Sequence, residues 1–136
     1  MILYLALYSM TSPSNVVSLL LQDGLVCRVT RRNKPSNYSL IGGSIEPTDL
    51  TPWLAMARET WEEAGVTVLE AHKVFERKSI YSNAVTWCYH VTQWDGIPHQ
   101  CEDGIEVSWG KPETLLTENC SFREYNRALF EHMKLL

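Results

Sequence analysis

The stretch Ala57-Arg58-Glu59-Thr60-Trp61-Glu62-Glu63-Ala64-Gly65 decides how this chain is read. At 3.6 residues per turn, Glu62 and Glu63 lie about 60° and about 40° to either side of Glu59, so three carboxylates share one narrow arc of a helix. Like charges at that spacing cost a few tenths of a kcal/mol per pair even on an exposed face, and no lysine at a matching position offsets them. A divalent cation with a preference for hard oxygen ligands, Mg²⁺ or Mn²⁺, makes such a cluster tolerable. A solvated acidic face is the other reading.

The limits of this helix are legible on both sides. Thr51-Pro52 has the order of an N-cap followed by proline at the first helical position, and Gly65 stands where a C-terminal cap belongs, which predicts a helix over 52–64. Trp53, Leu54, Ala57, Trp61 and Ala64 follow helical spacing largely opposite the glutamates, so that face is expected to pack. Gly42-Gly43 and then Pro47, Thr48 and Asp49 precede the helix and read as irregular chain.

Further out, Val16–Leu21 and Leu25–Thr30 read as strands joined through Gln22-Asp23-Gly24, with a loop over Asn33–Ser39. Met1–Met10 reads as a strand. It is too short to span a bilayer and lacks the basic start of a signal peptide. Val66–Phe75 and Ile80–Trp94 are rich in strand formers, with a break at 77–79, and Asp95-Gly96-Ile97-Pro98 is a turn. Ile105–Trp109 reads as a short strand. Ser121 and Glu124 have capping-box spacing, and Phe122, Tyr125, Leu129, Phe130, Met133 and Leu136 form one helical stripe.

With 136 residues, 45% hydrophobic and 21% charged, the chain fits one domain, 1–136. A net charge of -4 argues against non-specific DNA binding. The charge is unevenly placed. Arg28, Arg31, Arg32 and Lys34 stand against only Asp23 in residues 1–40, whereas residues 41–70 carry six acids and only Arg58. Brought together, the two segments suit a metal bound to a phosphate ester. Cys27, Cys88, Cys101 and Cys120 are scattered without a C-x-x-C pair, so reduced thiols and a cytoplasmic location are expected. The four histidines are isolated and give no zinc pattern.

Gly42-Gly43-Ser44-Ile45-Glu46-Pro47 through Arg58-Glu59-Thr60-Trp61-Glu62-Glu63-Ala64-Gly65-Val66 resembles the Nudix box, G-x5-E-x7-R-E-U-x-E-E-x-G-U, where U is a bulky aliphatic. Three departures stand out. The acid due after Gly43 is Asp49, and eight residues rather than seven separate it from Arg58, so either Asp49 or Glu46 pairs with the arginine. Thr60 replaces an aliphatic, and Ile41 stands where a proline is usual.

The resemblance implies an α/β/α sandwich, a mixed sheet between the box helix and the C-terminal helix. It implies metal-dependent hydrolysis of a nucleoside diphosphate linked to another group, with no membrane partner; a catalytically silent nucleotide- or protein-binding module is the alternative. Glu59, Glu62, Glu63 and the Gly42 carbonyl would hold Mg²⁺ or Mn²⁺, and Arg58 would orient the acids. The general base would be a helix glutamate such as Glu63, or a later loop acid, Glu102, Asp103 or Glu106; Glu106 is taken here with Arg58, Glu62 and Glu63 as catalytic. Arg31 and Arg32 are expected at substrate phosphates. Tyr81, about fifteen residues past the box, stands where dinucleoside polyphosphate hydrolases carry a tyrosine, while the small size also suits a nucleoside triphosphate pyrophosphatase. The sequence leaves oligomeric state open, a homodimer included.

Overall fold

The computed structural model describes residues 12–32, 34–120 and 122–136. The strand expected over Met1–Met10, and Ser121 as a helix cap, lie outside the described residues. Six strands follow in chain order: β1 (Asn15–Gln22), β2 (Leu25–Arg31), β3 (Lys34–Ser44), β4 (Thr67–Lys78), β5 (Val85–Asp95) and β6 (Val107–Gly110). Helix α1 (Pro52–Ala64) joins β3 to β4. A short 3₁₀ turn (Pro112–Leu115) and α2 (Arg123–His132) close the chain. The sheet order is β4-β5-β1-β3-β2-β6. The β1–β5 pair is parallel and the other neighbouring pairs of these strands are antiparallel, so the sheet is mixed.

Alternation along the strands sorts the core into two layers. On β1, Val16 and Leu20 pack with Ala55, Met56 and Ala64 of α1, whereas Leu19 packs with Leu129 and Phe130 of α2. Cys27 and Val29 of β2 face α1, and Val26 faces α2. The result is the expected sandwich, with one helix on each side of the sheet. Among the described residues no helix is long and apolar enough to cross a membrane.

Six sequence expectations need correction. Residues 34–39, read as loop, and Gly42-Gly43, read as irregular, belong to β3. Their ladder runs to β2 on one side and β1 on the other, and long-range pairing outweighs weak local propensity. Pro35 is accommodated at the strand's start, next to a register shift between Thr30 and Arg31. The break between β4 and β5 falls at residues 79–84 rather than 77–79, and β6 begins at Val107, with Ile105 in an isolated bridge to Glu102.

The last two concern helix phase. In α1 the buried residues are Ala55, Met56, Thr60 and Ala64, while Trp61 is 59% exposed. The helix is rotated from the orientation that its large apolar residues imply, and this turns Glu63 inward. In α2, Phe122 and Leu136 leave the stripe and are exposed. Phe122 occupies the cap position with a left-handed backbone (φ 63°) and no side-chain cap bond.

The caps of α1 are as its sequence requires. Thr51 is extended (φ -143°, ψ 159°) and its Oγ1 accepts from the Leu54 N–H at 3.1 Å. Gly65 is left-handed (φ 70°), and its N–H donates to the Trp61 carbonyl at 3.0 Å.

Thr60, the polar intruder in the box, is fully buried against Ser18, with the two hydroxyl oxygens 2.8 Å apart. Thr60 Oγ1 also lies 2.7 Å from the Met56 carbonyl. A hydroxyl has one proton; with Thr60 donating to Met56, Ser18 donates to Thr60, and both buried groups are satisfied.

Candidate active site

The inward rotation of α1 sets two of its glutamates against the end of β3. Glu63 Oε2 accepts from the Gly42 N–H at 2.9 Å. Glu59 lies directly over Gly43, where a Cβ would come within 2.5 Å of Glu59 Oε1. A Cβ on Gly42 would sit 2.4 Å from the Val16 carbonyl oxygen. The two glycines are therefore required by close approach, from the carboxylate on one side and the neighbouring strand on the other.

Crowding and burial raise the pKa of both carboxyls. Glu63 is pushed up to about 8, chiefly by burial and further by the charges of Glu59, Glu102 and Glu62, against the opposing Gly42 hydrogen bond. Glu59 is raised by burial, with Arg58 working the other way. Beneath them burial, with Glu63 adding, pushes the Cys27 thiol up to about 12, so it stays a thiol. Cys27, Cys88 and Cys120 are buried, Cys101 is exposed, and all four are free.

Arg58 is the hub of the charge network. Its Nε and Nη2 donate to Asp49 Oδ1 and Oδ2, both at 2.9 Å. Nη1 donates to Glu59 Oε1 and Glu62 Oε2, both at 3.1 Å, and Nη2 also reaches the Ser44 carbonyl at 3.2 Å. Glu46 stands farther off at 3.6 Å with its side chain 56% exposed, against 6% for Asp49. The choice left open by the sequence falls on Asp49. Its carboxyl is held below the usual carboxylate range by these bonds and by the Glu46 N–H, which donates to it at 2.8 Å.

Arg31 and Arg32 part company. Arg31 lines a cavity of about 420 Å³ that also takes in Gly42, Gly43, Glu63 and Tyr81. Arg32 turns away to the loop between β5 and β6, donating to the Asp103 carbonyl at 2.7 Å and to Glu102 Oε2 at 3.2 Å. Of the three loop acids, Glu102 is near enough for its charge to act on Glu63, and it shares a cleft with Glu62. Glu106 is joined to the sheet through its backbone, by the Thr30 hydroxyl and N–H, and among the described residues its carboxylate makes no hydrogen bond or ion pair with α1. Arg77, Lys78 and Asn126 also line the cavity. The sequence reading passed over all three, because nothing in their local pattern connects them to residues 42–63.

Comparison with known proteins agrees with this fold. The model of the NUDIX domain matches residues 11–130. A MutT-like protein of Streptomyces ambofaciens is 30% identical over 98 residues, covering 69% of this chain and 60% of that protein, so the chain spans less than two thirds of it. A structure from a structural and functional study of MutT from Aliivibrio salmonicida and Vibrio cholerae superposes with TM-score 0.67 at 25% identity, covering 86% of this chain and 91% of the other. A MutT NUDIX hydrolase from Burkholderia pseudomallei gives 0.70 at 21% identity, over 89% and 98%. The NUDIX domain of Shewanella oneidensis NrtR, solved with ADP ribose, gives 0.69 at 19%, over 98% and 96%. The family match over most of the chain, together with superposition of the whole fold on MutT structures, shows that the chain belongs to the Nudix family.

Proposed function

We propose that this chain is a divalent-metal-dependent pyrophosphohydrolase acting on a nucleoside diphosphate linked to another group. The observation that carries the reading is the placement of Glu59 and Glu63 over Gly42-Gly43, at the edge of a cavity that also holds Arg31. Family membership supports the reaction class.

The donors suit Mg²⁺ or Mn²⁺. They are hard carboxylate oxygens, too close to one another to ionise together cheaply, and a cation relieves what burial and repulsion impose on Glu63. Glu59, Glu62 and Glu63, with the Gly42 carbonyl, would hold it. Among the described residues no three acidic, histidine or cysteine side chains converge on one point, because Arg58 is the counter-charge of Glu59 and Glu62. Holding a cation therefore requires Glu62, whose side chain is half-exposed, to leave the guanidinium. The cation would supply charge stabilisation at the phosphoryl oxygens.

The remaining roles belong to the chain. Arg58, clamped by Asp49, fixes the glutamate face of α1 relative to the loop before it. Gly42 holds Glu63 Oε2, which leaves Oε1 as the atom we assign to take a proton from the attacking water. Glu102, beside Glu63, is the loop acid best placed to share that task. Arg31 pairs with a substrate phosphate, and Tyr81, 85% exposed at the cavity rim, offers a face for a base.

The test is a panel of nucleotides with Mg²⁺, Mn²⁺ or excess EDTA, with products separated by chromatography. Nucleoside monophosphate should form only with metal. Full activity in EDTA, or no turnover of any nucleotide, defeats the reading.

A further inference from the structure

The cavity that begins at Gly43 ends at a second wall which the chemistry above leaves unused. This wall is the stem of the β4–β5 hairpin, where Arg77 and Lys78 both line the cavity ahead of loop 79–84. Its place follows from the ladder: Arg77 is opposite Thr86, Thr86 is beside Asn15, and Asn15 is opposite Ser44. Three strand spacings of ~4.8 Å put the Arg77 backbone about 14 Å from Ser44.

Arg77 is half-buried, and neither it nor Lys78 makes an ion pair or side-chain hydrogen bond with another described residue. The cavity's two carboxylates, Glu63 and Glu124, are both beyond ion-pair distance of them. On the same strand Phe75 packs edge-on against Tyr125 of α2 at 5.5 Å. Arg77, two residues on, continues that α2-facing side to the strand's end, where it lines the cavity.

We propose that Arg77 and Lys78 form a second anion subsite, which takes a phosphate group of the same ligand remote from the diphosphate at the Gly42–Glu63 end. The orientation of that ligand rests on the hydrolase reading. A neutral base laid over these cations would strip their water and return no counter-charge, whereas a phosphate returns charge-assisted hydrogen bonds that a guanidinium makes two at a time. The phosphate has two possible sources: the terminal unit of a lengthened polyphosphate chain, or a phosphate on the ribose.

Calorimetric binding in excess EDTA, where no hydrolysis runs, separates them. Adenosine 5′-tetraphosphate is compared with the triphosphate, and adenosine 3′-phosphate 5′-diphosphate with the 5′-diphosphate, on the parent, Arg77→Gln and Lys78→Gln. One of the two phosphate-bearing ligands should bind roughly tenfold to a hundredfold tighter than its partner, the scale of an added charge-assisted bond. That ratio should fall to within about twofold in Arg77→Gln. The ligand that shows the preference identifies the source. If Arg77→Gln does not fold, Lys78→Gln decides, with the ratio expected to fall at least threefold. No preference in the parent, or one that survives in the variants, overturns the subsite. Turnover of the same nucleotides with Mg²⁺ is measured separately: Arg77-dependent binding without turnover would end the hydrolase reading and keep the subsite.

Discussion

Arg58 and Asp49 face each other through two parallel hydrogen bonds of 2.9 Å, Nε to Oδ1 and Nη2 to Oδ2, across nine positions of chain. This fork is what reconciles the lengthened loop with the box helix: one extra residue is absorbed between the two, and the guanidinium still reaches Glu59 and Glu62. The shorter reach of an aspartate suits the added residue.

Asp49→Asn should therefore lower turnover much more than Glu46→Gln, by roughly tenfold or more against less than about threefold, because it removes the charge from a bidentate pair while Glu46 touches Arg58 only at 3.6 Å. Steady-state rates of the two variants at saturating metal check this. Equal losses would mean that the fork does not hold the helix in its working position.

Glu63→Gln should lower turnover by roughly 10², the scale for loss of a principal electrostatic group at a reaction centre. The stabilisation conferred by Mg²⁺ or Mn²⁺, read from melting temperature, should shrink in the same variant, since it arises from binding to the folded state. Intact turnover would show that Glu63 serves only the fold.

The proton on Glu63 makes a separate statement about pH. Its folded pKa of about 8 lies above the ordinary 4.5, so between those values the folded chain binds more protons than the unfolded one. The associated stability is fully present below about pH 4.5 and is lost as pH rises through about 8, by at most ~1.4 kcal/mol per unit. In EDTA the melting temperature of Glu63→Gln minus that of the parent should rise across this window. A flat or falling difference counts against a buried, protonated Glu63.

Thr60→Val restores the aliphatic that the family prefers yet should destabilise by about 1–3 kcal/mol, because it leaves the buried Ser18 hydroxyl without its partner. Ser18→Ala combined with Thr60→Val should cost less than the sum of the single changes. Denaturant unfolding of the four proteins measures this coupling; strict additivity would dissolve the pair.

Arg31→Ala should raise KM about tenfold or more, and Arg32→Ala by less than about threefold. The first arginine lines the cavity, whereas the second is engaged with Glu102 and the Asp103 carbonyl at the surface, where such pairs are worth little. Reversed effects would relocate the phosphates to the loop.

Local chemistry in the sequence was enough to determine several features. Thr51-Pro52 and Gly65 bound α1 because caps satisfy the helix's own end groups and need no distant partner. The clustering of Glu59, Glu62 and Glu63 follows from helical period alone, as does the β1–β2 hairpin from its turn residues. Tertiary structure decided the rest. Period fixes which side chains share a face, not which face turns inward, so Trp61 outside and Glu63 inside became visible only with the sheet in place. Residues 34–44 are a strand because β1 and β2 flank them, a long-range gain that their proline and glycines do not advertise. That Asp49 rather than Glu46 forks with Arg58, and that Arg31 rather than Arg32 lines the cavity, follows from where the chain points between neighbours one to three residues apart. Arg77 reached the cavity only through three strands of register, a relationship that no spacing in the chain encodes.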